Sequence, residues 1–211
     1  MKRMKRQIWL HVVGIAFLIL PGCAAKVMVP PRINLKAYDN VGMIEFSSNT
    51  EGRLLQFVTL KFLQSIQSAQ PGVRILELGD EERVLKLVQR DRLDLGAIQA
   101  IGKKYNVDAV ITGHLNVTGV KPKVRLSTLL ESMSVHANVE ALLSAKLLET
   151  AGGATLWTSS ARGKETVAHV TLISNGPAYF DASDPEHAYG KLVQGLVKKI
   201  TKDFRVRYVR K

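Results

Sequence analysis

From Ser134 to Glu149 apolar and polar side chains alternate almost without a break. Val135, Ala137, Val139, Ala141, Leu143, Ala145 and Leu147 occupy one set of positions and His136, Asn138, Glu140, Ser144 and Lys146 the other, with Leu142 the one exception. A period of two places the apolar set on one face of an extended strand, whereas a helix would scatter it around its circumference. So long a strand with one apolar face demands a sheet, and a layer packed on that face. Gly152-Gly153 marks the hairpin turn that follows, and Thr155 to Ile173 the returning strand, which we expect to bend or bulge around Gly163.

The segments before and after supply the covering layer. Val41 to Phe46 is a short apolar run that fits a buried strand, and Ser48 with Glu51 three residues on predicts a capping-box start for a helix carrying Leu54, Leu55, Val58, Phe62 and Ile66. Pro71-Gly72 should stop it. Val73 to Leu78 reads as a second strand, Asp80 as the N-cap of a helix over 81–90, Leu95 to Tyr105 as a third helix, and Val107 to Val117 as a third strand running into a loop at Lys121-Pro122-Lys123. In the last helix Asp184 is the N-cap and Pro185 the first helical residue, followed by Tyr189, Leu192, Val193, Leu196, Val197, Ile200 and Phe204 at helical spacing. The expected class is α/β, a mixed sheet covered by helices in the order β-α-β-α-α-β-β-β-α, with parallel pairing among the early strands and antiparallel pairing in the late hairpin.

The amino terminus follows a different logic. Lys2, Arg3, Lys5 and Arg6 form a positive region, Ile8 to Leu20 an apolar stretch broken only by His11, and Pro21-Gly22-Cys23 a small-residue cleavage region. The stretch is short for a membrane span, which needs ~20 apolar residues. An uncleaved anchor helix with an incidental cysteine is the alternative. Leu20-Pro21-Gly22-Cys23 resembles the lipobox of bacterial lipoproteins. That resemblance implies that residues 1–22 are a signal peptide, that Cys23 carries diacylglycerol and an acyl chain, and that Ala24 and Ala25, with no aspartate after the cysteine, direct the chain to the periplasmic face of the outer membrane. Residues 23–40 then read as lipidated cysteine and tether, with Pro30-Pro31 and no apolar period, reaching at most ~60 Å fully extended.

Composition fits one domain: 211 residues, 46% hydrophobic and 23% charged, at ~100 to 200 residues per domain. A single cysteine excludes an internal disulfide and a cysteine-based zinc or iron–sulfur site. The net charge of +12 is unevenly placed. Four of the basic residues lie in 1–22, and eight against the single acid Asp203 lie between Lys191 and Lys211, so 23–190 is nearly neutral. This distribution describes a signal and a basic end, residues 205–211 forming a tail, and argues against nucleic acid as the partner.

Three landmarks in the domain expected over 41–204 carry a family resemblance: Val41 to Phe46 (VGMIEF), Ile101 to Gly113 (IGKKYNVDAVITG), and Leu147-Leu148-Glu149-Thr150 with Gly153 and Leu156-Trp157. With the element order, they are similar to the CsgG-like group of bacterial lipoproteins, whose domain is shared with the amino-terminal domain of the translocation protein TolB. The group contains curli secretion channels, periplasmic activators of penicillin-binding proteins and many uncharacterised envelope lipoproteins. A channel subunit needs two extra hairpins, each strand with ~9 to 11 alternating residues, and 117–133 is short for one and interrupted by Lys121, Lys123, Arg125 and Glu131. A synthase activator would need a longer tether than 24–40. The resemblance leaves an envelope interaction or assembly domain as the leading expectation, with envelope proteins and further copies of the chain as partners and the membrane engaged through the lipid. A subunit of a curli-type channel, and a small envelope enzyme or metal-binding protein, are the alternatives.

An enzyme would need a nucleophile with its base, paired carboxylates or a metal. His114, His136 and His169 lie on strands, and if those strands were neighbours in register three imidazoles would meet as in an open zinc site; otherwise they are unrelated surface histidines. No HExxH, GxSxG or GxxxxGK[ST] pattern is present, and Asp80-Glu81-Glu82 reads as a helix start complementing the macrodipole. No catalytic residue and no further cofactor are assigned. Two features suit binding. Lys191, Lys198, Lys202 and Arg205 form one stripe on the last helix, continued by Arg207 and Arg210, and would meet an anionic surface or remain a solvated face. Tyr179 and Phe180, in the loop 175–183, are either partner contacts or packed on their own domain.

Overall fold

A computed structural model describes residues 26–123, 136–172 and 178–210. Cys23, the lipobox residues Leu20, Pro21 and Gly22, and the signal lie outside the described residues. Two compact units are present, one of residues 31–205 and one joining the segments before 31 and after 205. In the smaller unit, β1 (Lys26–Val29) and β11 (Arg207–Arg210) form an antiparallel ribbon with Lys26 opposite Arg210 and Val29 opposite Arg207. The segments read as tether and tail are therefore strand partners. Both carry exposed apolar side chains, among them Met28 and Tyr208.

The larger unit is a mixed α/β fold. Its main sheet has the order β5-β2-β6-β7-β8, with β3 also on β6, where β2 is Val41–Ile44, β3 Ser47–Ser48, β5 Ile75–Gly79, β6 Ala109–Lys123, β7 His136–Glu149 and β8 Thr155–Ala168. β2 is parallel to β5 and β6, and β6, β7 and β8 are successively antiparallel. A small second sheet joins β4 (Glu51–Gly52), β10 (Ala178–Phe180) and β9 (Val170–Leu172). The helices are α1 (Leu54–Ala69), α2 (Glu81–Leu87), α3 (Leu95–Tyr105) and α4 (Pro185–Ile200).

Side-chain alternation sorts the core into two layers. Val41, Met43, Ala109, Ile111 and Leu147 pack with Val58, Phe62 and Ile66 of α1 and Leu192, Leu196 and Ile200 of α4. Their neighbours Ile44, Val110 and Leu148 face Val84 of α2 and Ile98 and Ile101 of α3. On β7 every residue of the apolar set from Ala137 to Leu147 is buried, and the intervening residues are partly or fully exposed. Asp80, Asp94 and Asp184 each cap a helix by accepting from a backbone N–H three residues on, at 2.8, 2.9 and 3.1 Å.

Several local expectations are corrected. The Ser48/Glu51 capping box does not form: Ser48 Oγ meets Thr50 at 2.9 Å, both residues sit in short strands, and α1 begins at Leu54 behind Arg53, which makes no side-chain cap. α2 ends at Leu87 rather than near Arg90, because Gln89 turns to a positive φ of 57°. Lys121-Pro122-Lys123 continues β6 instead of forming a loop, after a register shift between Val117 and Gly119. The β7–β8 register is unbroken at Gly163; its irregularity falls between Leu147 and Leu148, near the start of β8, and the strand ends before His169, whose φ of 54° sends the chain into the small sheet. Gly163 serves packing instead: a Cβ there would lie 3.1 Å from both Leu192 and Leu196 of α4.

The segment before β2 is held by one polar residue. Leu35 is fully buried in a 3-10 turn (Leu35–Ala37), and its N–H donates to Gln70 Oε1 at 2.8 Å. Gln70 Nε2 donates in turn to the carbonyls of Ile33 at 2.6 Å and Phe204 at 3.0 Å.

Candidate functional site

The cationic residues expected on the last helix do not form one stripe: α4 ends at Ile200, Lys202 lies in the 3-10 turn Thr201–Phe204 that follows it, and Arg205 comes after that turn. Lys191 and Lys202 are exposed, and Lys199 turns to the sheet, its Nζ donating to the Arg162 carbonyl of β8 at 3.0 Å. Lys198 and Arg205 instead line a cleft of about 460 Å³ between α1 and α4. The facing wall comes from α1, where Lys61, Gln64, Ser65 and Ser68 recur at helical spacing.

Arg205 is fixed in this cleft. Its Nη2 donates to Ser65 Oγ at 2.8 Å and to Thr201 Oγ1 at 3.1 Å, and the fully buried Thr201 is itself anchored by donating to the Val197 carbonyl at 2.7 Å. Both acceptors of the guanidinium are neutral. Among the described residues neither Arg205 nor Lys198 has an ion-pair partner, and no carboxylate lines the cleft. At its rim the Lys61 ammonium pairs with Glu186. That bond, with a second from Gln194 Nε2 at 2.7 Å, holds the Glu186 carboxyl below the ordinary range.

Tyr179 and Phe180, expected in a loop, lie on β10, and the pair is divided. Phe180 is fully buried and meets the Tyr189 ring edge-on at 5.5 Å, so it belongs to the core and not to a partner surface. Tyr179 is 39% exposed. Tyr189 pins this corner by accepting from the Ala182 N–H at 2.9 Å and donating to the His169 carbonyl at 3.1 Å, and burial pushes its phenol pKa up.

The three histidines are not brought together. His114 lies opposite Ser144 and its Nδ1 meets Ser47 Oγ at 2.8 Å, whereas His136 lies opposite Lys123, far along β6. At ~3.3 Å per residue the two are about 25–30 Å apart. His169 occupies the turn after β8. Among the described residues no group of three or more His, Cys, Asp or Glu is placed to hold a metal ion.

Two surfaces remain open. β8 is an edge of the main sheet, with β7 its only strand partner among the described residues, and it carries Arg162 and Lys164. Arg207 and Arg210 are exposed on the ribbon of the smaller unit. Sequence reasoning found Lys198 and Arg205 but missed the α1 wall. Its signal was Lys61, Ser65 and Ser68 at spacings of four and three, a polar stripe opposite the apolar one.

Among the described residues no helix is long and apolar enough to cross a membrane. No family model matches the chain, and no curated protein matches it. Solved structures that it resembles include the PelC dodecamer from Paraburkholderia phytofirmans, at TM-score 0.45 and 12% identity over 87% of this chain and 98% of that one. Lipoprotein GNA1162 from Neisseria meningitidis gives TM-score 0.37 and 15% identity over 60% of this chain and 83% of that one. The LpoB C-terminal domain from Escherichia coli gives 0.36 and 9% over 59% and 81%. At these identities and TM-scores the likeness assigns this chain no function.

Proposed function

We propose that the chain is a lipoprotein held to the periplasmic face of the outer membrane by diacylglycerol and an acyl chain on Cys23, and that its α/β domain works through protein contacts in the cell envelope, its own copies included. The anchoring half rests on one observation, Leu20-Pro21-Gly22-Cys23 closing an apolar run that begins after Lys2 to Arg6. Several acyl chains give stable attachment where one gives only marginal binding, because each buried CH2 contributes ~0.8 kcal/mol. The domain reads as a member of the CsgG-like group on the residues 41–46, 101–113 and 147–157.

The contact half is supported by the edge position of β8, which among the described residues pairs only with β7, and by the exposed Tyr179 on β10. An edge strand presents a row of backbone N–H and C=O groups to an incoming chain. No reaction is part of this reading.

The test is crosslinking of the native chain in intact cells, followed by membrane fractionation and mass spectrometry, with Cys23→Ala in parallel. The expected result is a defined set of envelope partners or a ladder of its own oligomers in the outer-membrane fraction, with release of the Cys23→Ala chain from that fraction. A clean monomer would sink the contact reading, and full membrane retention of Cys23→Ala would sink the anchoring.

A further inference from the structure

We infer that the cleft between α1 and α4 binds a phosphate-bearing anion, with Arg205, Lys198 and Ser68 as its ligands. Four observations converge on this. The cleft holds about 460 Å³ and opens to solvent between Lys61 and Gln64 on one wall and Gln194 and Lys198 on the other. A phosphate group occupies a small fraction of that space, so the remainder can admit the rest of a phosphomonoester or the glycerol of a lipid headgroup.

The second observation is the state of Arg205. Both Nη2 hydrogens are spent on the oxygens of Ser65 and Thr201, which holds the guanidinium plane still and leaves the three N–H groups on Nε and Nη1. A guanidinium fixed in this way loses little freedom on meeting an anion, and its planar donors match phosphate oxygens. Third, its charge and that of Lys198 are unmatched among the described residues, while Lys61, the remaining cation of the cleft, is already neutralised by Glu186. Two uncompensated cations facing one cleft repel each other, and an anion between them removes that repulsion. Fourth, the other polar groups lining the cleft are hydroxyls and amides: Ser65, Ser68, Gln64 and Gln194. Ser65 spends its hydrogen on Thr201 Oγ1 at 2.9 Å and so acts only by holding Arg205, whereas Ser68, Gln64 and Gln194 keep N–H or O–H groups for phosphate oxygens, and no carboxylate of the lining opposes one.

The inference is independent of how the chain is anchored, since it concerns residues of the larger unit alone. Phosphate chemistry has two sources here, a free phosphorylated small molecule and an anionic headgroup. The probes are inorganic phosphate, followed by amide chemical shifts and calorimetry on the full chain in a nonionic detergent, and vesicles of phosphatidylglycerol set against vesicles of phosphatidylcholine.

Expected is saturable binding of one of the two phosphate probes, weakened about tenfold by Lys198→Gln, as the loss of one charged hydrogen bond implies, and unchanged by Lys202→Gln, an exposed cation outside the cleft. Binding of inorganic phosphate assigns the free molecule; binding of phosphatidylglycerol vesicles alone assigns the headgroup. Arg205→Met should abolish either, and Lys198→Gln, whose side chain makes no ion pair among the described residues, keeps the test independent of folding. Absence of binding to both probes, or equal weakening by Lys202→Gln and Lys198→Gln, would overturn the inference, the latter because only diffuse surface charge would then be at work.

Discussion

Replacing Gln70 by Met should cost about 3 kcal/mol of stability, although the volume of the side chain hardly changes. Gln70 is 4% exposed at the end of α1, and it accepts from Leu35 and donates to Ile33 and Phe204, so one amide joins the segment before β2 and the turn after α4 to the same helix. Each such hydrogen bond contributes ~1 kcal/mol net, and the unsatisfied N–H left on the fully buried Leu35 sets the total near the upper end of what three bonds supply. For a domain of this size 1 kcal/mol corresponds to ~2–4 °C, so the midpoint should fall by about 6–12 °C. Thermal unfolding of the full chain is the assay. Trp157 reports the affected region, because its ring meets Phe204 edge-on at 4.7 Å and its Nε1 donates to Asp203 at 3.2 Å. A cost below about 1 kcal/mol would refute the reasoning, since it would mean that the segment over 31–37 stays in place without this amide or adds nothing to the fold.

Tyr189→Phe should destabilise by about 1–3 kcal/mol, because the buried Ala182 N–H loses its acceptor; chemical denaturation measures it, and a neutral result would contradict the geometry. Gly163→Val should cost about 1–3 kcal/mol by driving a branched side chain into Leu192 and Leu196, whereas a strand that needed Gly163 only for a bend would respond equally to Ala. Glu186 has a depressed folded-state pKa, caused first by Lys61 and then by Gln194, so its contribution is complete above the ordinary glutamate value and is lost as pH falls through the folded one. Lys61→Met should flatten the acid limb of the stability profile in that window and should matter less at high salt; a wild-type acid limb retained in the variant would exclude the pair as its cause.

The strands and helices were legible wherever a local pattern sufficed. The alternation on β7 needs only the period of an extended chain, and α4 announces itself through Asp184, Pro185 and an unbroken apolar stripe. Ser48 and Glu51 failed because a capping box competes with strand pairing, and Ser47 and Ser48 found partners on β6. His169 failed for a related reason: a positive φ at a non-glycine residue is imposed by its surroundings, here by Tyr189 holding its carbonyl.

What the sequence by itself determined is therefore the lipobox-like start, the α/β class, the caps at Asp80 and Asp184, and which residues of each element face inward, all of which depend on neighbours within a few positions. What only the tertiary structure decided is who faces whom: that His114 and His136 lie far apart along β6 and β7, that Phe180 is core and Tyr179 is not, and that Lys198 of α4 and Arg205 beyond it meet the serines of α1 across a cleft. Those are relations between elements, the cleft joining segments more than a hundred residues apart. Register and helix packing create them, and no local period in a chain encodes the distance between two such faces.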